Sequence, residues 1–342
     1  MAIDLYRHPR TGLALSRLGF GGAPLGNLNR RLDDTEAVAA VTAAIDAGAT
    51  LLDTSPLYGQ GLSAARIGTA LRRTDRDRVV LSTKVGRILE PARGDAGLGG
   101  SGRARYVDAL PFVPRFDYSY DGAMRSLEQS LLLLGTDRVD IVLIHDVDGW
   151  THGAEAVDAR FAEAMDGAYR ALERLRSEGV IRAIGVGLNE AAMAARFARA
   201  GDVDAVLLAG RYSLLEQGAL DEFLPLSHDK GIAVLMGGVF NSGVLATGPV
   251  EGALYNYRPA PPDILERTGR IEAVCRRHGV PLAVAAARFP LGHPAVASVV
   301  LGMVTPAEVA RNVAAFDTAV PAALWSDLVA DGLLRPDAPV PG

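Results

Sequence analysis

Four residues that could together move a proton stand along the first half of the chain: Asp53, Tyr58, Lys84 and His145. A phenol has an ordinary pKa of about 10, too high to act freely as a base near neutrality. A neighbouring ammonium favours the phenolate and lowers that pKa, and a carboxylate beside the ammonium holds it in place. A histidine can hydrogen-bond a substrate oxygen and orient it. The quartet therefore suits proton transfer at a carbonyl or hydroxyl oxygen, with Tyr58 as donor or acceptor. Singly, each residue has a plainer reading: Asp53 as a turn former, Tyr58 as packing, His145 as a structural histidine. Lys84 stands out, because Lys84 and Lys230 are the only lysines among 35 basic residues.

The elements that must position these residues are short and regular. Thr50-Leu51-Leu52 stops at Asp53, with Tyr58 five residues on; Val79–Thr83 stops at Lys84; Val139–Ile144 stops at His145. Further apolar runs lie at Leu18–Gly22, Ile181–Gly187, Ala205–Leu208, Ile232–Met236 and Ser298–Leu301. Between the eight runs lie amphipathic stretches: Asp34–Ala47, Ala64–Arg72, Tyr120–Leu134, Phe161–Ser177, Ala191–Ala200, Glu216–His228, Ile264–His278 and Pro306–Phe316. Eight nearly continuous apolar strands interleaved with helices predict a parallel sheet closed into a (β/α)8 barrel. If the strands are parallel, the three tips meet on one rim. Leu5–Ser16, with turn residues from His8 to Gly12, predicts an N-terminal hairpin. Three long connections, Gly86–Asp117, Asp146–Arg160 and Gly237–Pro262, follow strands and would surround that rim.

At 342 residues and 49% hydrophobic, the chain can bury one large core, and a single domain over 1–342 is expected. A net charge of −5 without like-charge blocks argues against a nucleic-acid footprint or polybasic anchor. The single cysteine, Cys275, precludes an internal disulfide and reads as part of a helix face. No apolar run reaches the roughly 18 residues of a membrane span, so a cytoplasmic location without membrane partners is expected. Homo-oligomerisation is left open. No His/Asp/Glu cluster has metal-ligand spacing, so no metal is expected. Gly19-Phe20-Gly21-Gly22 is too short for a G-x-G-x-x-G loop, which argues against a Rossmann domain.

The motifs Leu18-Gly19-Phe20-Gly21, Asp53-Thr54-Ser55-Pro56-Leu57-Tyr58-Gly59, Ser82-Thr83-Lys84 and Leu143-Ile144-His145 resemble, in order and over nearly the whole chain, those of the aldo-keto reductase superfamily. Four further segments are similar to its aldose 1-dehydrogenase branch: Phe116–Gly122, Asp140–Asp148, Leu208–Tyr212 and Tyr255-Asn256-Tyr257. That branch takes in L-fucose, D-threo-aldose and L-galactose dehydrogenases, with pyridoxal 4-dehydrogenase close by. The resemblance implies a (β/α)8 barrel, NAD(P) lying extended at the carboxyl ends of the strands, and Asp53, Tyr58, Lys84 and His145 as catalytic tetrad. The nicotinamide would supply or accept the hydride. The branch implies oxidation of a cyclic hemiacetal to a lactone. The alternatives are NADPH-dependent reduction of small aldehydes, pyridoxal oxidation, and a non-catalytic regulatory barrel.

The resemblance also implies a set of cofactor-binding residues. Asn189 matches the position that holds the nicotinamide amide, although Gly187-Leu188-Asn189 stands where many members have Ser-Asn. Arg211 or Tyr212 would support the ring from below. Gly237, Gly238, Asn241, Ser242 and Gly243 correspond to the pyrophosphate loop, whose glycines admit backbone amides close to phosphate. Gly22, Gly302, Glu308, Arg311 and Asn312 complete the set. Thr305-Pro306-Ala307-Glu308 reads as a capped helix start beside the adenosine ribose. NADP-preferring members usually place Lys and Arg where Gly302 and Glu308 stand, so NAD is the expected preference over NADP. Asp146, Asp148, Trp150 and His152 are candidate contacts for a polyol, under a roof formed by Gly86–Asp117 and Asp146–Arg160.

Overall fold

A computed structural model describes residues 3–93 and 106–342. It opens with an antiparallel ribbon, β1 (Leu5–Arg7) on β2 (Ala14–Ser16). Eight parallel strands then follow in chain order: β3 (Leu18–Gly21), β4 (Leu51–Asp53), β5 (Val80–Val85), β8 (Ile141–His145), β9 (Ala183–Leu188), β10 (Ala205–Ala209), β11 (Ala233–Gly237) and β14 (Val296–Gly302). They close into a barrel in that order, β14 returning to β3. The two remaining pairs are ribbons outside the barrel: β6 (Arg87–Pro91) with β7 (Phe112–Phe116), and β12 (Leu254–Tyr255) with β13 (Arg258–Pro259). The (β/α)8 reading holds.

Strand geometry sorts side chains by parity, since successive residues point to opposite faces. Leu51, Val80, Ile141, Leu143, Ala183, Ala205, Leu207, Ala233 and Leu235 point inward and pack as one apolar cluster, closed at the amino end by Leu13 and Leu15 of the N-terminal ribbon. Their neighbours Leu52, Leu81, Val142, Ile144, Val206 and Val234 point outward into the larger cluster beneath the helices. The inward columns of β4, β5 and β8 end in Asp53, Lys84 and His145. Alternation alone therefore delivers three charged or polar side chains to one mouth.

The helices largely follow the expected spans, with differences that have local causes. Phe161–Ser177 is not one regular helix: Val157–Ala164 passes through a π turn, Met165–Tyr169, into Arg170–Ser177. The Ala168 N–H donates to the Tyr118 carbonyl at 2.8 Å, and Gly167 lies where any Cβ would strike that carbonyl. Glu216–His228 divides into a 3-10 turn, Gly218–Leu220, and a helix, Phe223–Asp229. Two expected connections carry structure of their own. The ends of Gly86–Asp117 form the β6–β7 ribbon, while residues 94–105 lie outside the described residues. Gly237–Pro262 holds a short helix, Val244–Thr247, and the β12–β13 hairpin. Helices Leu282–Arg288 and Ala322–Ala330 are additional to the expected spans. Cys275 is buried on the helix Pro262–Arg277. Among the described residues, no single helix is long and apolar enough to cross a membrane.

Tyr58 reaches the same mouth by a different route. It begins a 3-10 turn, Tyr58–Gly61, set back to back against another, Ala23–Gly26. The two turns touch through Gly26 and Gly59; a Cβ on Gly26 would sit 2.4 Å from Gly59 N and 2.5 Å from Tyr58 C. Backbone on both sides prevents relief by side-chain movement. Gly26→Ala is expected to cost about 1–3 kcal/mol through overpacking and to displace Tyr58. Gly218→Ala, with nothing within 4 Å of the added Cβ, is the control. Thermal melts and kcat/KM should show a loss of both stability and turnover in the first variant, and of neither in the second.

Candidate active site

Lys84 is the most buried of the four strand-mouth residues, at 1% exposure, and Asp53 lies beside it at 3%. Lys84 Nζ donates to Asp53 Oδ2 at 2.7 Å and to the Thr54 carbonyl at 2.9 Å. The other Asp53 oxygen accepts from Ser82 Oγ at 2.8 Å. Removing two charges from water is costly, and these added hydrogen bonds offset part of that cost. Lys84 Nζ lies 4.9 Å from the centre of the Tyr58 ring. Burial pushes the Tyr58 phenol well above its ordinary 10, and the carboxylates of Asp53 and Asp146 push the same way. The sequence expectation was the reverse, a phenol lowered by the ammonium. The Lys84 charge is paired with Asp53, so burial decides, and Tyr58 is a protonated donor at neutral pH.

The His145 ring stands edge-on to the Tyr58 ring, with centroids 6.0 Å apart. Burial drives its pKa well below 6.5, and the cations Arg87 and Lys84 add to the effect, so the imidazole is neutral. Nε2 faces Asp146 Oδ2 at 3.5 Å, and Nδ1 meets Ser55 Oγ at 3.1 Å. A carboxylate only accepts, so we assign the proton to Nε2 and make Ser55 the donor to Nδ1. Tyr118 pins the strand end from behind, its hydroxyl donating to the His145 carbonyl at 2.8 Å.

Tyr58, Lys84 and His145 line a cavity of about 310 Å³, with Leu28, Leu57, Tyr106, Phe116, Trp150 and Tyr257 on its walls; Asp53 is set behind Lys84. Asp146 and Trp150 face it, as expected. Asp148 and His152 do not: Asp148 is fully buried, capping Gly149–His152, and His152 turns to the Tyr118 hydroxyl and the Phe116 ring. Another cavity, of about 370 Å³, lies at the opposite end of the barrel, by Thr50, Arg76 and Arg138. None of the four residues reaches it.

The expected cofactor positions divide. Asn189 lines the cavity, and its amide donates to Asp146 Oδ1 and Asp148 Oδ2, both at 3.1 Å. Arg211 lies beside it, donating from Nε to the Asn189 carbonyl at 2.7 Å, with its guanidinium 5.4 Å from the Trp150 ring. Tyr212 is corrected: it is fully buried, its ring packed on Phe289 with centroids 5.0 Å apart, because the chain turns at Gly210 and only Arg211 faces the cleft. Gly237 closes β11 and is buried. Past it the backbone enters the left-handed region at Gly238, Asn241, Ser242 and Gly243. Asn241 is clamped between Ser213 Oγ and the Gly210 carbonyl, and Ser242 Oγ accepts from Tyr257 N at 2.9 Å. Gly22 is packed against Asp53 and Ser63, too tightly for a Cβ.

Gly302 is exposed beside Pro24, and Arg311 is exposed on the helix Pro306–Asp317, where Asn312 is partly exposed. Glu308 folds back to accept from Val304 N at 2.9 Å, while its own N–H donates to Thr305 Oγ1 at 3.1 Å, a capping box whose return bond reaches the residue before the N-cap. Its carboxylate is thus tied to the helix start.

A profile of the Aldo/keto reductase family matches residues 17–330. The chain is 40% identical over 320 residues to D-threo-aldose 1-dehydrogenase from a Pseudomonas species, covering 93% of this chain and 94% of that one. This chain belongs to the aldo-keto reductase family. It is also 38% identical over 330 residues to pyridoxal 4-dehydrogenase of Microbacterium luteolum, covering 95% and 96%. Its fold is like that of the holo form of aldo-keto reductase AKR11C1 from Bacillus halodurans, with a TM-score of 0.75 over 97% of each chain at 24% identity. As a member of this family the chain is an NAD(P)-dependent oxidoreductase acting on a small molecule.

The family's dinucleotide fits the residues present. Next to the cavity at Tyr58, and sharing Trp150, Asn189 and Tyr257 with it, is a small pocket of about 30 Å³ lined by Arg211, Gly238 and Ser242. A third, of about 610 Å³, shares Trp150 and Asn256 with the small pocket and is lined by Tyr255 and Pro261. The left-handed residues Gly238 and Asn241–Gly243 put backbone turns beside the small pocket, the kind of concavity that receives phosphate. Sequence reasoning missed two residues here. Ser55 stood inside a quoted motif, five residues before Gln60, but its role depends on the fold bringing His145 beside it. Arg87, three residues after Lys84, also lines the cavity.

Proposed function

We propose that this protein oxidises an aldose at its anomeric carbon to the lactone, with NAD preferred over NADP. The supporting observation is the convergence of Tyr58, the Lys84–Asp53 pair and the neutral His145 on one cavity that also carries Asp146 and Trp150. Bound NAD+ would supply a hydride acceptor for the anomeric carbon. For oxidation Tyr58 first gives up its own proton; the phenolate, stabilised by Lys84, then accepts the proton of the anomeric hydroxyl. His145 Nε2–H donates to the same substrate oxygen and fixes its direction. Asn189 and Arg211 would hold the nicotinamide end, and residues 238–243 the pyrophosphate. The similarity to an aldose 1-dehydrogenase supports the sugar reading.

A second reading, oxidation of an aromatic aldehyde such as pyridoxal, is favoured by the aromatic walls Tyr106, Phe116 and Trp150 and by the similarity to pyridoxal 4-dehydrogenase. Cofactor reduction across L-fucose, L-galactose, D-arabinose and pyridoxal separates the two. The expected result is turnover of at least one aldose at a kcat/KM above that for pyridoxal; pyridoxal alone would overturn the sugar reading. Tyr58→Phe is expected to lower kcat for the preferred substrate by about 10²–10⁴-fold while fluorescence titration shows NADH binding retained. A variant keeping more than about a tenth of kcat would remove Tyr58 from its role.

The NAD preference rests on Gly302 and Glu308 standing beside the proposed adenosine site without a cation between them. Glu308→Arg is expected to raise kcat/KM for NADP+ relative to NAD+, at some cost in stability as the capping box is lost, about 1 kcal/mol. A wild-type preference for NADP+ of about tenfold, roughly 1.4 kcal/mol, would overturn this assignment.

A further inference from the structure

Arg87 is a buried guanidinium at the cavity wall, 7% exposed, on the first residue of β6 just past the turn at Gly86. One arm, Nη2, pairs with Asp146 Oδ2 at 2.8 Å. The plane lies over the Phe116 ring, 4.3 Å from its centre. The other arm, Nη1, is buried and has no hydrogen-bond acceptor among the described residues. A buried charged donor without an acceptor is costly, and such sites call for an explanation. A purely structural arginine tying β6 to Asp146 would need only the first arm.

Asp146 places this donor relative to the chemistry. Its Oδ2 atom touches Arg87 Nη2 at 2.8 Å and His145 Nε2 at 3.5 Å, so one oxygen bridges the two. Asp146 adopts a left-handed backbone, φ 56°, a region that costs most side-chain-bearing residues energy and that Asp enters more readily than others. The contacts that hold its side chain are Arg87 on one carboxylate oxygen and Asn189 on the other. A substrate oxygen held by His145 therefore has Asp146 and Arg87 beside the next carbon along. The ion pair is neutral as a whole, which disfavours a substrate bearing its own charge there. It offers one donor and one acceptor together, the complement of a hydroxyl group.

From this we infer that Arg87, supported by Asp146, is a specificity-determining residue that recognises a hydroxyl on the carbon adjacent to the reacting carbon. The substrate class is thereby a 2-hydroxy carbonyl compound or its cyclic hemiacetal. Nη1 donates to the hydroxyl oxygen, and Asp146 accepts the hydroxyl proton. This deepens the reading above, and rests on its placement of the reacting oxygen at Tyr58 and His145.

The test compares two aldehydes that differ only in that hydroxyl, lactaldehyde and propanal, reduced with NADH. Wild type is expected to favour lactaldehyde in kcat/KM by about tenfold or more, the scale at which a site built to bond a hydroxyl rejects its absence. Arg87→Lys keeps a cation for Asp146 but lacks the second arm of the fork. It should pull the ratio towards one, chiefly by raising KM for lactaldehyde. Arg87→Met should do the same, and circular dichroism of both variants checks that the fold is kept. A wild-type ratio near one, a ratio unchanged in Arg87→Lys, or equal losses for both aldehydes would overturn the inference. Turnover of lactaldehyde with the predicted ratio but of no aldose would leave it standing and sink the sugar reading instead.

Discussion

The ion pair between Lys84 and Asp53 is the constraint to which the rest of the site conforms. Two charges buried at the barrel mouth persist only where their remaining hydrogen bonds are satisfied. Here Ser82 and the Thr54 carbonyl complete them. Because Asp53, Ser82 and Lys84 occupy inward positions on paired strands, the register of β4 on β5 fixes the pair. Removing one partner of such a buried pair typically costs about 3–5 kcal/mol. The pair also determines what Tyr58 experiences: a neutral dipole in place of a bare cation, and thus a phenol that keeps its proton until substrate and cofactor arrive.

Around that pair, the cavity is built from residues that hold one another. Ser55 and Asp146 fix the two nitrogens of His145; Arg87 and Asn189 fix the two oxygens of Asp146. Asn189 in turn has Arg211 on its carbonyl, and Arg211 reaches Asn256 at the tip of the β12–β13 hairpin. The chain of contacts runs from His145, at the proton-transfer site, through Asn189 to the hairpin without leaving the cleft. A ligand that takes a hydrogen bond from Asn189 therefore competes with Asp146 and Asp148, which couples the two ends of the cleft through a single amide.

Much of this was legible in the sequence because strands write their geometry as a period of two. Val80, Ser82 and Lys84 share a face, as do Ile141, Leu143 and His145, and the strand ends could be placed before any coordinates. The choice between Arg211 and Tyr212 lies past the end of the strand Ala205–Ala209, where the left-handed turn at Gly210 breaks the alternation. Other features depend on contacts between distant segments. Arg87 matters only because the chain reverses at Gly86 and returns along the mouth. The π turn at Met165–Tyr169 exists to meet a carbonyl on another element. Asp148 and His152 have the chemistry of sugar ligands, yet their burial and partners make them supports of the helix Gly149–His152 and of Tyr118.

The central claim is that Lys84 stabilises the ionised phenol of Tyr58 during aldose oxidation. It is tested most directly by the pH dependence of kcat/KM for that oxidation in Lys84→Met. With the cation gone, burial and the Asp53 carboxylate act on Tyr58 unopposed, and both raise its pKa. The account predicts a residual rate whose rising limb, set by ionisation of Tyr58, lies at higher pH than that of the wild type. A profile of unchanged position, with only the amplitude reduced, would contradict it.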